Sequence, residues 1–371
     1  MKRLMAVLAP LTGLLVLAGN AGALTTPTAE YWGIADGGVF TVPTPTPVPV
    51  QGHIMQVATS NGAWYALKHN GAVWAWGAGQ HGQLGDGQLT NTLRPVKVAF
   101  PTGVKIAFLA DTSPYDTELA VDTTGQAWGW GYNSNGQLCN GATDEEVSPV
   151  KLPFTGVTAL TGAGDHALYV SNGSLFACGS NNYGDLGIGT TTPSYVPVTV
   201  SLPGVTSVTS SWRTSGALVG GTYYSWGYNA LGAVGDGSTT DALTPQRISL
   251  PESATMVRLG GGGPLDGQTL ALLSNGTMWA WGSDTYGQLG DGGSGSVTSP
   301  ERVSTPAPYV AVESDGEASY GLTASGHLWG WGSNRHDQLG NGATTTQLTP
   351  VILVMGVTEV SATAAAVIAL R

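Results

Sequence analysis

The chain has 371 residues, of which 56 are glycine and 21 are proline, and only 10% are charged. Its apolar content of 42% is enough for a large core, which excludes an intrinsically disordered chain. The formal net charge is −11 with no cluster of Lys or Arg, so we expect no nucleic-acid partner, because such a surface repels phosphate backbones.

Residues 1–23 have the pattern of an export signal. Lys2 and Arg3 precede an apolar run, and the sequence AGA at 21–23 is a small-x-small cleavage site. The run is shorter than the ~20 residues that span a bilayer, so we expect cleavage near Ala23–Leu24 rather than a membrane anchor. A secreted, periplasmic or cell-surface protein without a membrane span is therefore predicted. Loss of the signal leaves 11 basic and 24 acidic residues, a net charge of −13.

A unit rich in glycine and tryptophan recurs six times. The stretch WAWGAGQHGQLGDG at residues 74–87 is followed by related stretches at spacings of 54, 48, 48, 55 and 50 residues. The anchor residues of the six units are Trp76, Trp130, Cys178, Trp226, Trp281 and Trp331. Glycine stands five residues before each anchor and one and eleven residues after it, and proline stands nineteen after it. Fixed offsets at this period are typical of repeat architectures.

Each unit is predicted to contain four short strands. Asn70-Gly71, between two apolar runs, is a strong hairpin signal and separates the second strand from the third. Trp74 and Trp76 lie two residues apart, on one face of the third strand, where they are expected to pack against the neighbouring unit. The GQLGDG segment is interpreted as the turn that follows. Short strands without helical periodicity predict an all-β propeller of four-stranded blades.

A second motif, V-x-x-V-A…A-L, occurs seven times and therefore predicts seven blades. Its last copy, near the C-terminus, has no tryptophan segment after it, whereas residues 30–50 supply Trp32-Gly33 and a closing Pro-Val run. We expect residues 30–50 and 351–371 to build the last blade together, so that one propeller domain spans residues 24–371. The alternative, a proline-rich linker at TVPTPTPVPV, leaves two sheet edges unpaired.

The unit resembles the regulator of chromosome condensation repeat, a family of seven-bladed propellers, and six aligned copies extend the resemblance over residues 30–371. The eukaryotic founder of that family promotes nucleotide exchange on a small GTPase, which is one functional alternative. The chain more closely resembles a secreted branch, the streptomycete inhibitor of β-lactamases, which is also an exported seven-bladed propeller of this repeat class. The loops of that inhibitor bind a partner protein. That branch implies a second alternative, a secreted enzyme inhibitor.

In that inhibitor the partner-binding loops follow the first strand of each blade. The matching loops here are residues 59–64, 110–117, 163–166, 210–215, 260–268, 314–318 and 362–365. They contain aromatic and charged residue types that anchor interfaces. The candidate partner-binding residues are Trp64, Asp111, Tyr115, Asp116, Asp165, His166, Trp212, Arg213, Asp266, Asp315 and Glu317. The alternative interpretation is that Trp64 and Trp212 are loop aromatics that pack into the core.

Cys139 and Cys178 are the only cysteines, and each replaces a consensus residue, a glycine and a tryptophan, in consecutive units. In an exported protein this paired departure suggests a disulfide. Two independent buried thiols are the alternative, if the blades hold the two Cα atoms more than ~7 Å apart.

No catalytic, cofactor or metal motif emerges from the sequence. The six histidines have no His-x-His or His-Glu-x-x-His spacing, and G-x-S-x-G is absent. The sequence therefore predicts a non-catalytic, monomeric, exported propeller without cofactor or metal, which binds a protein partner through loops on one face. A wall- or carbohydrate-associated surface module is a further alternative.

Overall fold

The computed structural model describes residues 29–35, 40–48, 50–110, 116–261, 267–306, 308–363 and 366–371. The predicted export signal at residues 1–23 lies outside the described residues. The described chain forms 28 strands in seven four-stranded sheets. No helix within these ranges is long and apolar enough to cross a membrane.

Each sheet is one blade of a seven-bladed ring, and each blade has a first, second, third and outer strand. The first strands, nearest the centre, are β3 (Ile54–Ser60), β7 (Ile106–Leu109), β11 (Val157–Gly162), β15 (Val205–Ser210), β19 (Ala254–Gly260), β23 (Tyr309–Ser314) and β27 (Glu359–Thr363). The second strands are β4 (Ala63–Lys68), β8 (Thr117–Asp122), β12 (His166–Ser171), β16 (Thr214–Val219), β20 (Gln268–Leu273), β24 (Ala318–Thr323) and β28 (Ala366–Leu370).

The remaining strands complete the blades. The third strands are β5 (Val73–Gly77), β9 (Ala127–Gly131), β13 (Ser174–Gly179), β17 (Thr222–Gly227), β21 (Met278–Gly282), β25 (His327–Gly332) and β1 (Ala29–Ala35). The outer strands are β6 (Thr92–Lys97), β10 (Glu146–Lys151), β14 (Ser194–Val200), β18 (Ala242–Arg247), β22 (Val297–Arg302), β26 (Gln347–Met355) and β2 (Phe40–Pro47). Blade 1 contains β3–β6, and blades 2 to 6 follow in chain order.

The antiparallel order gives the ring two different faces. The loops after the first strands and after the third strands lie at the same end of every blade, here called the loop face. The hairpins between second and third strands, and the connections to the next blade, lie at the other end, the hairpin face. Alternate strand directions in an antiparallel sheet require this division.

The last blade, blade 7, is built from both ends of the chain, as predicted. Its strand order is β2-β1-β28-β27, with β1 paired antiparallel to β28 and Tyr31 opposite Ile368. Arg371 donates from Nη1 to Oε1 of Glu30 over 2.8 Å beside this seam. One boundary is corrected: residues 351–355 belong to β26 of blade 6, because that strand continues to Met355.

Adjacent blades are joined by the anchor tryptophans. Each anchor indole is fully buried and, at five junctions, donates from Nε1 to a backbone carbonyl of the preceding blade's loop. The pairs are Trp130 to Gln83 (2.8 Å), Trp226 to Asp185 (2.9 Å), Trp281 to Ala233 (3.0 Å), Trp331 to Gln288 (2.9 Å) and Trp32 to Gln338 (2.9 Å). A buried N–H is thereby satisfied between blades rather than within one.

The indole also packs against a glycine two residues after that carbonyl. At Gly187, where φ is +70°, an added Cβ would lie 2.7 Å from Nε1 of Trp226, so a side chain there would displace the ring. The junction of blades 2 and 3 differs at both positions. Cys139 (φ 57°) takes the glycine position and Cys178 the anchor position, and a disulfide joins them with Cα atoms 5.6 Å apart.

Candidate partner-binding face

Three predicted partner-binding residues, Asp111, Tyr115 and Asp266, lie outside the described residues. Trp64 is a correction, because the turn at 61–62 ends before it and Trp64 is part of β4. Its indole is fully buried, stacks on Trp76 with ring centroids 6.5 Å apart, and donates to the carbonyl of Val367 over 3.1 Å. Trp64 therefore joins blade 1 to blade 7, and the core interpretation of this residue holds.

Asp165 and His166 lie together at the junction of blades 3 and 4. His166 is fully buried, with Nδ1 3.1 Å from Oδ1 of Asp165 and Nε2 2.7 Å from Oγ of Ser215. Ser215 donates its hydroxyl proton to the carbonyl of Asp185 over 2.7 Å. Nε2 of His166 is then the donor to Ser215, and Nδ1 lies within hydrogen-bond distance of the Asp165 carboxyl.

The direction of these hydrogen bonds determines what the Asp-His-Ser line can do. Burial alone lowers the pKa of His166, but the hydrogen bond and charge of Asp165 outweigh burial and the net shift is upward. A serine nucleophile needs a neutral imidazole that accepts its proton. Here Ser215 accepts from the ring and is itself fully buried, so the line joins two blades and does not activate a nucleophile.

Asp116 and Asp315 are buried within their loops and hold them in shape. Oδ1 of Asp315 accepts the backbone N–H groups of Glu317 and Ala318 at 2.9 and 2.5 Å. Oδ1 of Asp116 accepts from Nε2 of Gln83 in blade 1 over 2.7 Å. Burial is the main cause that raises the pKa of Asp315 to about 7 and that of Asp116 to about 6. These buried carboxyls therefore hold the loops of the loop face in place through hydrogen bonds.

Arg213 and Trp212 are half-buried on the loop face of blade 4. The Arg213 guanidinium lies over the ring of Tyr183 in blade 3, 4.6 Å from its centroid, and Nη1 donates to the Tyr183 hydroxyl over 3.2 Å. Tyr228 packs edge-on against Tyr183, with their ring centroids 5.0 Å apart. We call Tyr183, Arg213 and Tyr228 the 3/4 cluster.

Two related groups lie at alternate junctions on the same face. At the junction of blades 5 and 6, Arg335 lies 5.1 Å from the ring centroid of Tyr286 and forms an ion pair with Glu317.

At the junction of blades 1 and 2, Nδ1 of His81 lies 2.6 Å from Oε1 of Glu145, and its ring centroid lies 5.5 Å from that of Tyr132. All three clusters combine a half-buried aromatic ring with an exposed or half-exposed charge, the mixture that is enriched at protein interfaces.

Buried asparagines hold the loops that carry these rings. Asn181 accepts the backbone N–H of Leu186 over 2.9 Å and donates to the carbonyls of Thr190 and Thr192. A side-chain amide with both ends occupied fixes the loop backbone. The Tyr183 ring is thus presented by a rigid loop and needs little ordering on binding.

Half of the residues of this face are not among those predicted from the sequence. The GQLGDG segment was interpreted only as a turn, yet the residue just before it, five after the anchor, supplies His81, Tyr183 and Tyr286. An aromatic residue at this offset in repeats 1, 3 and 5, and again at His336 in repeat 6, was the signal that could have identified them. The antiparallel order places these loops beside those that carry Arg213 and Glu317.

Comparison with known proteins agrees with this geometry. A family model described as the regulator of chromosome condensation (RCC1) repeat matches residues 70–108, 124–170, 172–218, 220–263, 275–314 and 325–368. The chain belongs to the RCC1 repeat family. RCC1-type propellers form a family of protein-interaction scaffolds.

The curated relatives share only part of the chain. Human HERC2, an E3 ubiquitin-protein ligase, is 31% identical over 130 residues, which is 32% of this chain and 3% of HERC2. The ultraviolet-B receptor UVR8 of Arabidopsis thaliana is 30% identical over 115 residues, 30% of this chain and 26% of the receptor. The matches span a small part of these relatives.

Solved structures match the whole ring. Yeast RCC1 (Prp20), in a complex with Kap60, superimposes with a TM-score of 0.80 at 19% identity, covering 94% of this chain and 89% of Prp20. Human WBSCR16 gives a TM-score of 0.79 at 20% identity, covering 94% of this chain and 99% of the other. At identities this low, the superpositions establish that the fold is shared and nothing more.

Proposed function

We propose that this RCC1-type propeller is an exported, non-catalytic module that binds a protein partner through its loop face. The observation that supports this most is the series of three aromatic and charged clusters at alternate blade junctions of one face. Each is held by a rigid loop and remains partly exposed. Rigid aromatic rings beside charged groups provide contact area at low entropic cost.

Export is part of the proposal and has two supports. The first is the signal pattern of residues 1–23. The second is the Cys139–Cys178 disulfide, since structural disulfides persist in oxidising compartments and are rare in the cytosol. The inhibitor, exchange-factor and wall-associated roles stay predictions, as does the monomeric state.

A pair of matched double variants tests the loop face. Arg213→Ala with Tyr183→Ala removes the core of the 3/4 cluster. Arg247→Ala with Tyr224→Ala removes the same two residue types from a cross-strand pair of blade 4 at the hairpin face. Each immobilised chain is exposed to culture fluid and cell extract of its source, and retained proteins are identified by mass spectrometry.

We expect the loop-face variant to lose a retained partner by at least about tenfold while the hairpin-face variant keeps it, with both unfolding cooperatively like the parent. Equal retention by all three chains would show that the binding face is wrongly assigned. A retained substrate that is chemically converted would instead show an enzyme.

A further inference from the structure

The four lysines of the described chain all lie in blades 1 and 2, at the hairpin face. Lys68 is the last residue of β4, Lys97 the last of β6 and Lys151 the last of β10. Lys105 lies one residue before β7, in the connection from blade 1 to blade 2. Second and outer strands both run towards the hairpin face, so the strand order collects these positions at one end.

The backbone contacts show how close these lysines are. Lys105 accepts from Thr123 of the blade 2 hairpin over 2.9 Å, and Ile106 beside it donates to Gly71 of the blade 1 hairpin over 3.0 Å. Gly71 in turn donates to the carbonyl of Lys68 over 2.8 Å. Lys68 therefore lies at the blade 1 hairpin, and Lys105 lies in the connection that contacts both this hairpin and that of blade 2. Lys97, Lys105 and Lys151 are exposed.

Carboxyl groups of the same two blades lie at the opposite end. Those that the structure describes at or near the loop face are Asp86, Asp116, Glu118, Asp144, Glu145 and Glu146. The exception is Asp122 at the end of β8, which is buried and accepts from Thr124, Gln126 and Trp128. A protein of net charge −11 thus carries a basic patch, Lys68, Lys97, Lys105 and Lys151, without an exposed described carboxylate of its own blades beside it.

Distance decides whether the acidic face cancels this patch. A six-residue strand such as β6 spans ~20 Å, whereas the Debye length is ~8 Å at physiological ionic strength. Carboxylates at the loop face are therefore more than two screening lengths from anything that touches the lysines. An anionic surface would attract the patch, and the net negative charge would oppose this only weakly.

The shape of the patch selects the kind of anion. The four lysines are spread over two blades, and two grooves that the structure describes lie elsewhere. One of about 400 Å³ contains Arg247 and one of about 560 Å³ contains Arg302, in blades 4 and 5. Lysines distributed across one end of a flat ring suit an extended layer of phosphate charges better than a single small anion.

We propose that the basic patch docks the propeller on the anionic headgroups of a lipid bilayer. In this orientation the hairpin face of blades 1 and 2 lies against the lipid and the loop face points away. This goes beyond the proposed partner binding, since it concerns the other face and does not depend on the partner. Each lysine near an anionic surface strengthens binding by roughly fivefold.

Vesicle co-sedimentation with two matched triple variants tests the proposal. One carries Lys97→Gln, Lys105→Gln and Lys151→Gln, and the other carries Arg94→Gln, Arg247→Gln and Arg302→Gln. All six side chains are exposed, and both variants lose three positive charges. The vesicles are phosphatidylcholine alone or with about a third phosphatidylglycerol, at low and at physiological salt, and circular dichroism checks each fold.

We expect the parent to bind only the anionic vesicles and to be released by salt. The lysine variant should lose roughly a hundredfold in partitioning and the arginine variant less than about tenfold. Equal losses would show that net charge or the whole hairpin face acts, rather than the lysine patch, because Arg247 and Arg302 also end outer strands. Absence of binding to anionic vesicles would refute the proposal. Binding to soluble polyglutamate or polyphosphate but not to vesicles would assign the patch to a polymer instead.

Discussion

The junction of blades 2 and 3 and the junction of blades 3 and 4 solve one packing problem with different chemistry. Between blades 3 and 4, Trp226 lies against Gly187 and donates to the carbonyl of Asp185. Between blades 2 and 3, a disulfide joins Cys139 and Cys178 at the same two repeat positions. One junction uses a buried ring and a hydrogen bond, and the other a covalent bond.

This difference shows that the two repeat positions form one unit. A tryptophan at the anchor requires a glycine in the preceding blade, because any Cβ there meets the indole. When the ring is absent, the space at both positions is free for two short side chains, and their Cα atoms are close enough for a disulfide. Substitution of one position alone leaves either a clash or a cavity.

The largest effect is expected from breaking the tryptophan junction. Trp226→Ala removes a fully buried ring and its hydrogen bond, and should lower the free energy of unfolding by about 3–5 kcal/mol. Chemical denaturation measures this change. Trp279→Ala, which removes a half-buried indole of blade 5, is the control and should cost clearly less. An equal loss in both variants would contradict the role given to the anchor.

Breaking the covalent junction should have a somewhat smaller effect. Cys139→Ala with Cys178→Ala opens a link between residues 39 apart in sequence and should destabilise the ring by about 2–4 kcal/mol. Reductant should destabilise the parent under denaturing conditions and leave the variant unchanged. If reductant affects both alike, the disulfide is not the source of the stability.

The next largest difference between the two junctions should be in the pH dependence of folding stability. The repeat position seven residues after the anchor of the preceding unit holds Asp185 between blades 3 and 4, where its carbonyl accepts from Trp226, and Gln137 between blades 2 and 3. Burial raises the pKa of Asp185 from 3.8 to about 7. The folded state therefore holds its proton more tightly, and the resulting stability is complete below pH 3.8 and lost as pH rises towards 7.

Between pH 5 and pH 8 this one group should remove about 2–3 kcal/mol of stability. Asp185→Asn should reduce the pH slope of thermal unfolding by that amount, and Gln137→Glu should add a slope of the same sign at the other junction. Asp315, with its pKa raised to about 7, keeps part of the slope in every variant. An unchanged slope in Asp185→Asn would refute the assignment.

The smallest departure from the parent is expected when one junction is converted into the other. Cys139→Gly with Cys178→Trp rebuilds the tryptophan arrangement and should stay within about 1–2 kcal/mol of the parent without any disulfide. Cys178→Trp alone should be worse, because the side chain of Cys139 occupies the place of the ring. If the double variant is no more stable than the paired alanines, the two positions do not substitute as a unit.

The sequence predicted the blades because their signals are local and repeated. Glycines at fixed offsets and the seven first-strand motifs determine strand number, and the half-repeats at the two ends predict the shared blade. The boundary at residues 351–355 was placed wrongly because the outer strand of blade 6 is nine residues long, beyond the repeat average.

The binding face could be predicted only in part, since it depends on which loops adjoin. Trp64 was placed in a loop because its turn is two residues shorter than the aligned window, and one strand position separates a rim residue from a core residue. Tyr183 and Arg213 are 30 residues apart and belong to different repeats. Neither repeat alone shows that one ring stacks on the other's guanidinium.

The shared blade 7 also determines at which stage of synthesis the ring can close. Its seam joins Glu30 to Arg371, partners separated by 341 positions. A growing polypeptide can assemble the middle blades from neighbouring segments, but β1 and β2, which pair with each other, have no other strand of their blade to pair with until β28 emerges. Closure is therefore the last event of biogenesis, and a chain truncated by even its terminal strand would remain an open arc with an exposed sheet edge.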